Sequence, residues 1–375
     1  MVRDSAGVTV VENSDPRWKE GEGWRVSADP VLDIGVMDGD SVYQFFRVAG
    51  ALITPEGGIA VANSGTGEIR FFDSDGGFVR ATGRKGGGPG EFEDLLWILR
   101  SRGDSLLAYD WRYRRVSVLS PQGDFVRSFE LDLLTTTGGF PVLSETFADG
   151  HLLLATEMTF ASGEISEGAK RDSAVYYLLD SDGVVLDTLG AFPGGESYNR
   201  MEGDTWFGGG LVFGRFGQAA VSGDGFYYGS SDEYEIGYFD RQGRLQRVIR
   251  VPHENFQVTQ EDIDRYVTRS LETARNEERR QVRRTLFETM PFPDEMPAYS
   301  ELEVDAEGHL WVAEYRRPGD DQPRWRVFDP EGALLGTVKT PIRFRIFEIG
   351  PDYILGRWDD EQDVEHIRVY RLLKG

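Results

Sequence analysis

The chain has 375 residues, with 41 Lys and Arg against 64 Asp and Glu, a formal net charge of −23 and no Cys. That balance argues against a nucleic-acid binder, whose affinity rests on Lys and Arg set against phosphates. The missing Cys excludes disulfide frameworks, thiolate metal sites and cysteine nucleophiles, leaving His, carboxylates and hydroxyls for any chemistry.

No stretch approaches the ~20 apolar residues of a membrane span, and Met1–Ser5 carries no hydrophobic signal core. The expectation is a monomeric mature protein working outside the cytoplasm, in the periplasm or at the cell surface, its leader already removed.

Two spare strand-like runs come first, Gly7–Val11 and Trp24–Val26. A four-strand grammar then begins. Leu52–Asn63 reads as a strand, an acidic-glycine turn at Glu56-Gly57 and a second strand. Glu68–Asp73 follows as a third strand, then the turn Ser74–Gly77 and a fourth strand from Phe78.

The first turn returns at Gly103, Gly150, Gly225, Gly308 and Gly350, and the third strand at Arg115–Leu119, Val175–Asp180, Glu235–Asp240, Trp325–Asp329 and His366–Tyr370. Six copies of one turn mean six units. The last stops after its third strand, so its outer edge needs a strand from the N-terminus, Trp24–Val26 in preference to Gly7–Val11. The predicted fold is all-β, a single six-bladed β-propeller over residues 1–375 with four-stranded antiparallel blades.

Asn63–Asp73, with the exit Gly83–Phe92, resembles an NHL repeat, and the later units follow it more loosely. The whole chain is similar to exported bacterial six-bladed propellers of the NHL and TolB-like kind. The resemblance implies blade geometry and brings no particular activity.

Two first-turn intervals are swollen, Gly150 to Gly225 and Gly225 to Gly308. The added residues, about 156–173, 192–217 and 252–298, lie in second-to-third strand loops and blade connections, which emerge on one side of the disc. That side is the candidate functional face. Residues 252–298, between blades four and five, read as a helical insertion. Thr259 caps it, Ile263, Val267, Leu271 and Ala274 form its apolar stripe, and Arg279, Arg280, Arg283 and Arg284 gather late. It is either a fixed cap or a lid and docking surface.

The second strands end on this face at Asn63, Asp110, Thr156, Ser230, Glu314 and Arg357, followed by Ser64, Trp111, Glu157, Ser231, Tyr315 and Trp358. Polar groups with aromatics beside them suit a small-molecule site, although strand ends meeting water also need polarity. Asn63, Asp110, Glu157 and Glu314 are candidate ligands for Ca2+ or another divalent cation, and Asp110 and Glu314 are candidate catalytic acids.

Among the enzyme models the resemblance brings, a histidine-bound zinc fits poorly, because His151 and His309 fall on the opposite face. A gluconolactonase-like carboxylate and amide cluster matches by residue type only. Gly86–Gly90 is read as a connector rather than a phosphate loop, and Asp73–Gly76 and Asp180–Gly183 as hairpin turns rather than calcium loops.

The leading expectation is a non-catalytic propeller presenting this face to a small molecule, glycan, peptide or protein. The alternative is a metal-dependent hydrolase or lactonase acting through Asp110 and Glu314.

Overall fold

A computed structural model describes residues 1–19, 21–131, 140–157, 167–203 and 205–375. Four short strands come first, β1 (Val2–Ser5), β2 (Val8–Glu12), β3 (Arg25–Val26) and β4 (Leu32–Ile34). Six sheets follow in chain order. Sheet one holds β5 (Val48–Ile53), β6 (Ile59–Asn63), β7 (Glu68–Phe72) and β8 (Phe78–Thr82); sheet two holds β9 (Leu95–Arg100), β10 (Leu106–Asp110), β11 (Arg115–Leu119) and β12 (Phe125–Glu130). Sheet three holds β13 (Phe140–Thr146), β14 (Leu152–Glu157), β15 (Gly168–Leu179), β16 (Val185–Glu202) and β17 (Thr205–Gly210). Sheet four holds β18 (Gln218–Ser222), β19 (Gly225–Gly229), β20 (Glu235–Asp240) and β21 (Leu245–Arg250). Helices α1 (Gln260–Glu272) and α2 (Glu277–Thr289) intervene. Sheet five holds β22 (Tyr299–Val304), β23 (Leu310–Glu314), β24 (Arg324–Phe328) and β25 (Leu334–Lys339), and sheet six β26 (Phe344–Ile349), β27 (Tyr353–Asp359) and β28 (Glu365–Leu373).

Side chains alternate across a strand, so a strand apolar at every position is buried on both faces. In β6, Ile59 and Val61 pack against sheet six while Ala60 and Ala62 pack against sheet two. The same division repeats along the chain. Apolar clusters join sheets one and two, two and three, three and four, four and five, and five and six, and another joins six back to one. The sheets therefore follow one another around a cycle, each sandwiched between two neighbours.

Second turns are locked by their first residue. Asp73 Oδ1 accepts from the N–H groups of Asp75 (3.0 Å) and Gly77 (2.7 Å), and Asp180 Oδ1 from those of Asp182 and Val184, both at 2.9 Å. These carboxylates complete hairpins, as expected for turn chemistry. The last sheet receives its strand from the N-terminus: β3 pairs with Leu372 and Leu373, and β4 with Ile367 to Val369. Trp18 and Trp24, on the approach to β3, pack into the core between sheets five and six.

Three features differ from the sequence reading. The first spare run is also used, since β2 adds in parallel to β21 and β1 folds back on β2. Residues 192–202, expected as loop, continue β16 and return as β17, so a twisted ribbon extends sheet three. The helical insertion is two helices, because Asn276 accepts from Arg279 N and starts a new one. Thr259 and Asp262 form the expected capping box on α1. Arg280 and Arg283 donate to the carbonyls of Leu271 and Ser270 at the end of α1, so part of the basic cluster caps a helix.

First strands leave one edge unpaired toward the middle of the cycle. Side chains from neighbouring sheets satisfy it. Glu348 Oε2 accepts from Ile53 N (3.1 Å) and Arg100 donates to Ile53 O (2.5 Å). Thr146 donates to Arg100 O (2.5 Å), Glu145 accepts from Val221 N (2.8 Å) and Gln218 from Leu302 N (2.8 Å). Ala306 N to Ile349 O (3.0 Å) joins sheets five and six.

Burial pushes the Glu145 carboxyl up to about 8, only partly opposed by the Val221 N–H. Burial, then the charges of Glu145 and Glu301, push Glu303 well above the carboxylate range, with Arg345 opposing. A carboxyl whose value is raised on folding stabilises the fold most at low pH and loses that contribution as pH rises through its folded value. Melting temperature should therefore fall as pH rises from about 4.5, the ordinary carboxyl value, to about 8, the folded value of Glu145. Glu145→Gln should flatten that dependence, measured by circular dichroism melts; an unchanged slope would remove these carboxyls as its origin.

Candidate functional site

The residues at the second-strand ends do not act as one open ring. Asn63 is fully buried; its Oδ1 accepts from Phe46 N (2.8 Å) and its Nδ2 donates to Thr66 Oγ1 (2.9 Å). Asp110, also fully buried, accepts from three backbone donors, Glu93 N (2.5 Å) and Asp94 N (3.2 Å) at Oδ2 and Tyr113 N (3.0 Å) at Oδ1. Both are clamps that tie the loop entering their own sheet to the end of its second strand.

Thr156 is fully buried with a hydroxyl that finds no partner, and the side chain of Glu157 lies outside the described residues. Ser230 offers its carbonyl to Arg171 Nη2 (2.8 Å). Ser231 is buried, exchanges hydrogen bonds with the Phe216 backbone through its hydroxyl and donates its N–H to the Tyr299 hydroxyl (3.0 Å). Glu314 accepts from Arg326 Nε (3.1 Å) and lies 4.0 Å from Arg324. Arg357 pairs with Asp359 (3.1 Å) and Glu365 (3.3 Å). Arg368 stacks over Trp358 at 3.4 Å. Trp111 and Ser64 flank the Asp110 and Asn63 clamps, and Ser64 gives its carbonyl to Lys85 Nζ (2.9 Å).

The metal expectation can be tested on these bonds. A cation at Asp110 would compete with three N–H groups for one carboxylate, and at Glu314 with two guanidinium groups; Asn63 has spent both ends of its amide. Asn63, Asp110 and Glu314 do not fit a metal centre, and no chemistry is routed through one. Among the described residues, Asp305, Glu307 and His309 do approach one another with ligand-type atoms, on the first-turn side of sheet five. Asp305 there accepts from Glu307 N, His309 N and Trp311 Nε1, and Glu307 pairs with Lys374. That group locks a turn.

Two clefts open on the loop-bearing face. The first, about 660 Å3, lies between the insertion and the connection entering sheet four, walled by Arg215, Gln257, Val258, Ile263, Phe292 and Glu295. The ribbon and the insertion hold it through a shared core of Tyr198, Val212, Phe213, Met290 and Met296, with Tyr315 packed beneath. Burial pushes the Tyr315 hydroxyl up to about 12, so it stays protonated. Arg215 lies 3.3 Å from Asp232 and 3.8 Å from both Glu196 and Glu295, so its charge is already neutralised.

The second cleft, about 530 Å3, lies beside the Asn63 and Asp110 clamps and is lined by Arg47, Lys85, Glu93, Asp94, Arg112 and Tyr113. The sequence reading found its flanks, Asn63, Ser64, Asp110 and Trp111, and missed its walls. Arg112-Tyr113 sits in a turn after the second strand, a position the strand-end comparison passed over.

Sheets of antiparallel strands arranged in a cycle define a propeller-like β protein. The fold is similar to that of a Bacteroides fragilis protein classed as exported, at 12% identity and a TM-score of 0.53 over 97% of this chain and 100% of that one. It is also similar to a member of the DUF4221 family from Bacteroides vulgatus, at 10% identity and a TM-score of 0.55 over 94% and 99%. At such identities the likeness is one of fold. No protein-family model matches the sequence, and no curated protein does.

Two substitutions test the clamps. Asp110→Ala strips three N–H groups of their acceptor and should cost about 2–4 kcal/mol, read as a lowered denaturation midpoint; an unaltered midpoint would return Asp110 to the pool of free carboxylates. Asp262, which caps α1, is 4% exposed and its carboxyl is held down to about 2, first by Arg317, whose Nη2 lies 2.5 Å away. Arg317→Ala should loosen the insertion by about 1–3 kcal/mol. Amide exchange should then speed up across residues 259–289 and stay unchanged in the sheets.

Proposed function

We propose that this protein is a six-bladed β-propeller of the NHL and TolB-like kind that works outside the cytoplasm as a non-catalytic binding protein. Its loop-bearing face takes a small molecule, glycan, peptide or protein. The observation that carries the reading is the clamp role of Asp110, together with the pairing of Glu314 to Arg326. The two carboxylates on which the hydrolase alternative depends are engaged in holding structure, while the same face carries two clefts. Loops on a rigid scaffold are the usual seat of binding, and concave sites of this size accept small ligands. The extracytoplasmic setting is supported by the fold shared with an exported protein. Among the described residues no helix is long and apolar enough to cross a membrane.

The test has two arms. Protein stripped with a chelator and reloaded with Ca2+, Mg2+ or Zn2+ should leave a panel of lactones and esters unhydrolysed. Metal-dependent turnover that disappears in Glu314→Ala would overturn the non-catalytic reading. In the second arm, neutral oligosaccharides and short peptides are screened by thermal shift and calorimetry. A hit seated in the insertion cleft should weaken at least about tenfold in Asp294→Arg, a surface change at its rim.

A further inference from the structure

In a chain of net charge −23, the cleft between sheets one and two is walled by three cations, Arg47, Lys85 and Arg112, against two carboxylates, Glu93 and Asp94. The cations differ in what they pair with. Arg47 Nη2 lies 2.8 Å from Asp94 Oδ1 and is neutralised there. Lys85 Nζ is held by two carbonyl oxygens, Ser64 O (2.9 Å) and Glu93 O (2.7 Å). Carbonyls orient an ammonium without cancelling its charge, and the third N–H of Lys85 remains to be given away. Arg112 is exposed and no described carboxylate pairs with it. Two positive groups with donors to spare therefore face one space.

The frame around them is fixed. Asp110 grips Glu93, Asp94 and Tyr113 by their N–H groups, and Asn63 grips Phe46, next to Arg47. Tyr113 lies against Gly87, where a Cβ would come within 2.7 Å of its hydroxyl, and 43% of the residue stays exposed. Phe46, over the Ser64-Gly65 turn, is 60% exposed. Aromatic faces in contact with water offer a platform for the apolar face of a sugar ring. Glu93, exposed at the cleft wall, can accept from hydroxyl groups.

Resting on the reading of this face as a binding surface, we infer that the cleft is a site for an acidic saccharide. A uronic acid unit would place its carboxylate on Lys85 and Arg112, its ring on Tyr113 and its hydroxyls on Glu93. A bare phosphate or a phosphate polymer would use the cations but gain nothing from the Tyr113 ring or from the Glu93 acceptor.

Calorimetric titration with trigalacturonate, against maltotriose and inorganic phosphate, tests this. Trigalacturonate should bind saturably, more weakly as salt is raised, and at least about tenfold more tightly than maltotriose. Arg112→Gln and Tyr113→Ala should each weaken it at least about fivefold with melting temperature unchanged. Three results would overturn the inference: no binding to the wild type, equal binding of maltotriose, or displacement by phosphate at equal concentration. Trigalacturonate binding lost in Asp294→Arg and kept in Arg112→Gln would likewise sink this site while leaving the general reading of the face intact.

Discussion

The structure depends on how the inner edges of its sheets are satisfied. Each first strand is hydrogen-bonded on one side only, and a buried backbone group without a partner costs about as much as a lost hydrogen bond. The chain solves this with side chains sent from the neighbouring sheet: Glu348 and Arg100 to Ile53, Glu145 to Val221, Gln218 to Leu302. Bulges in the first-to-second pairing of sheets three and six fall at Glu145 and Glu348, where a bulge turns a side chain off the regular alternation. The result sets Glu145 and Glu301 within electrostatic reach of Glu303: burial alone raises the carboxyls of Glu145 and Glu301, and at Glu303 the charges of the other two add to burial. The strained titration at the centre is thus a by-product of closing the cycle.

The outer edges follow a different rule. An exposed edge is a template for pairing with another chain. Sheet six borrows β3 and β4, and sheet four is covered by β2 in parallel orientation. The N-terminal segment thus staples two sheets. Asn13 adds to this, giving Nδ2 to Gly332 O (3.0 Å) and accepting from Leu334 N (2.8 Å) of sheet five.

What was legible in the sequence was local. An Asp followed by Gly two or three residues on writes a hairpin in any context, so the repeat and its turn at Asp73 or Asp180 could be read directly. A unit lacking its fourth strand pointed to Trp24–Val26 by the same logic. The polar residues at the second-strand ends were found too, but their role was not. Asn63 and Asp110 look like solvent-facing ligands in sequence, and only the return path of the preceding loop shows the N–H groups they serve. The axial glutamates were invisible because a strand polar toward a central space reads like one polar toward solvent. The break between α1 and α2 was masked by a continuous run of charged helix formers around Asn276. The ribbon of β16 and β17 was missed because a swollen turn interval shows that residues are added without showing that they pair.

Net charge says least about a single cleft, and the reason is physical. A −23 total describes the far field, which falls off over roughly 8–10 Å in physiological salt. Inside that distance, recognition is set by which charges are already paired. Arg215 in the insertion cleft is ringed by Asp232, Glu196 and Glu295 and has little left to offer an anion. Lys85, held by carbonyls alone, keeps its full charge in a fixed position. Holding a cation with neutral oxygens and fixing its surroundings with buried clamps spends the ordering entropy on folding rather than on binding. The selectivity such a site needs must therefore come from these short-range contacts, since the acid elsewhere acts on every anion alike.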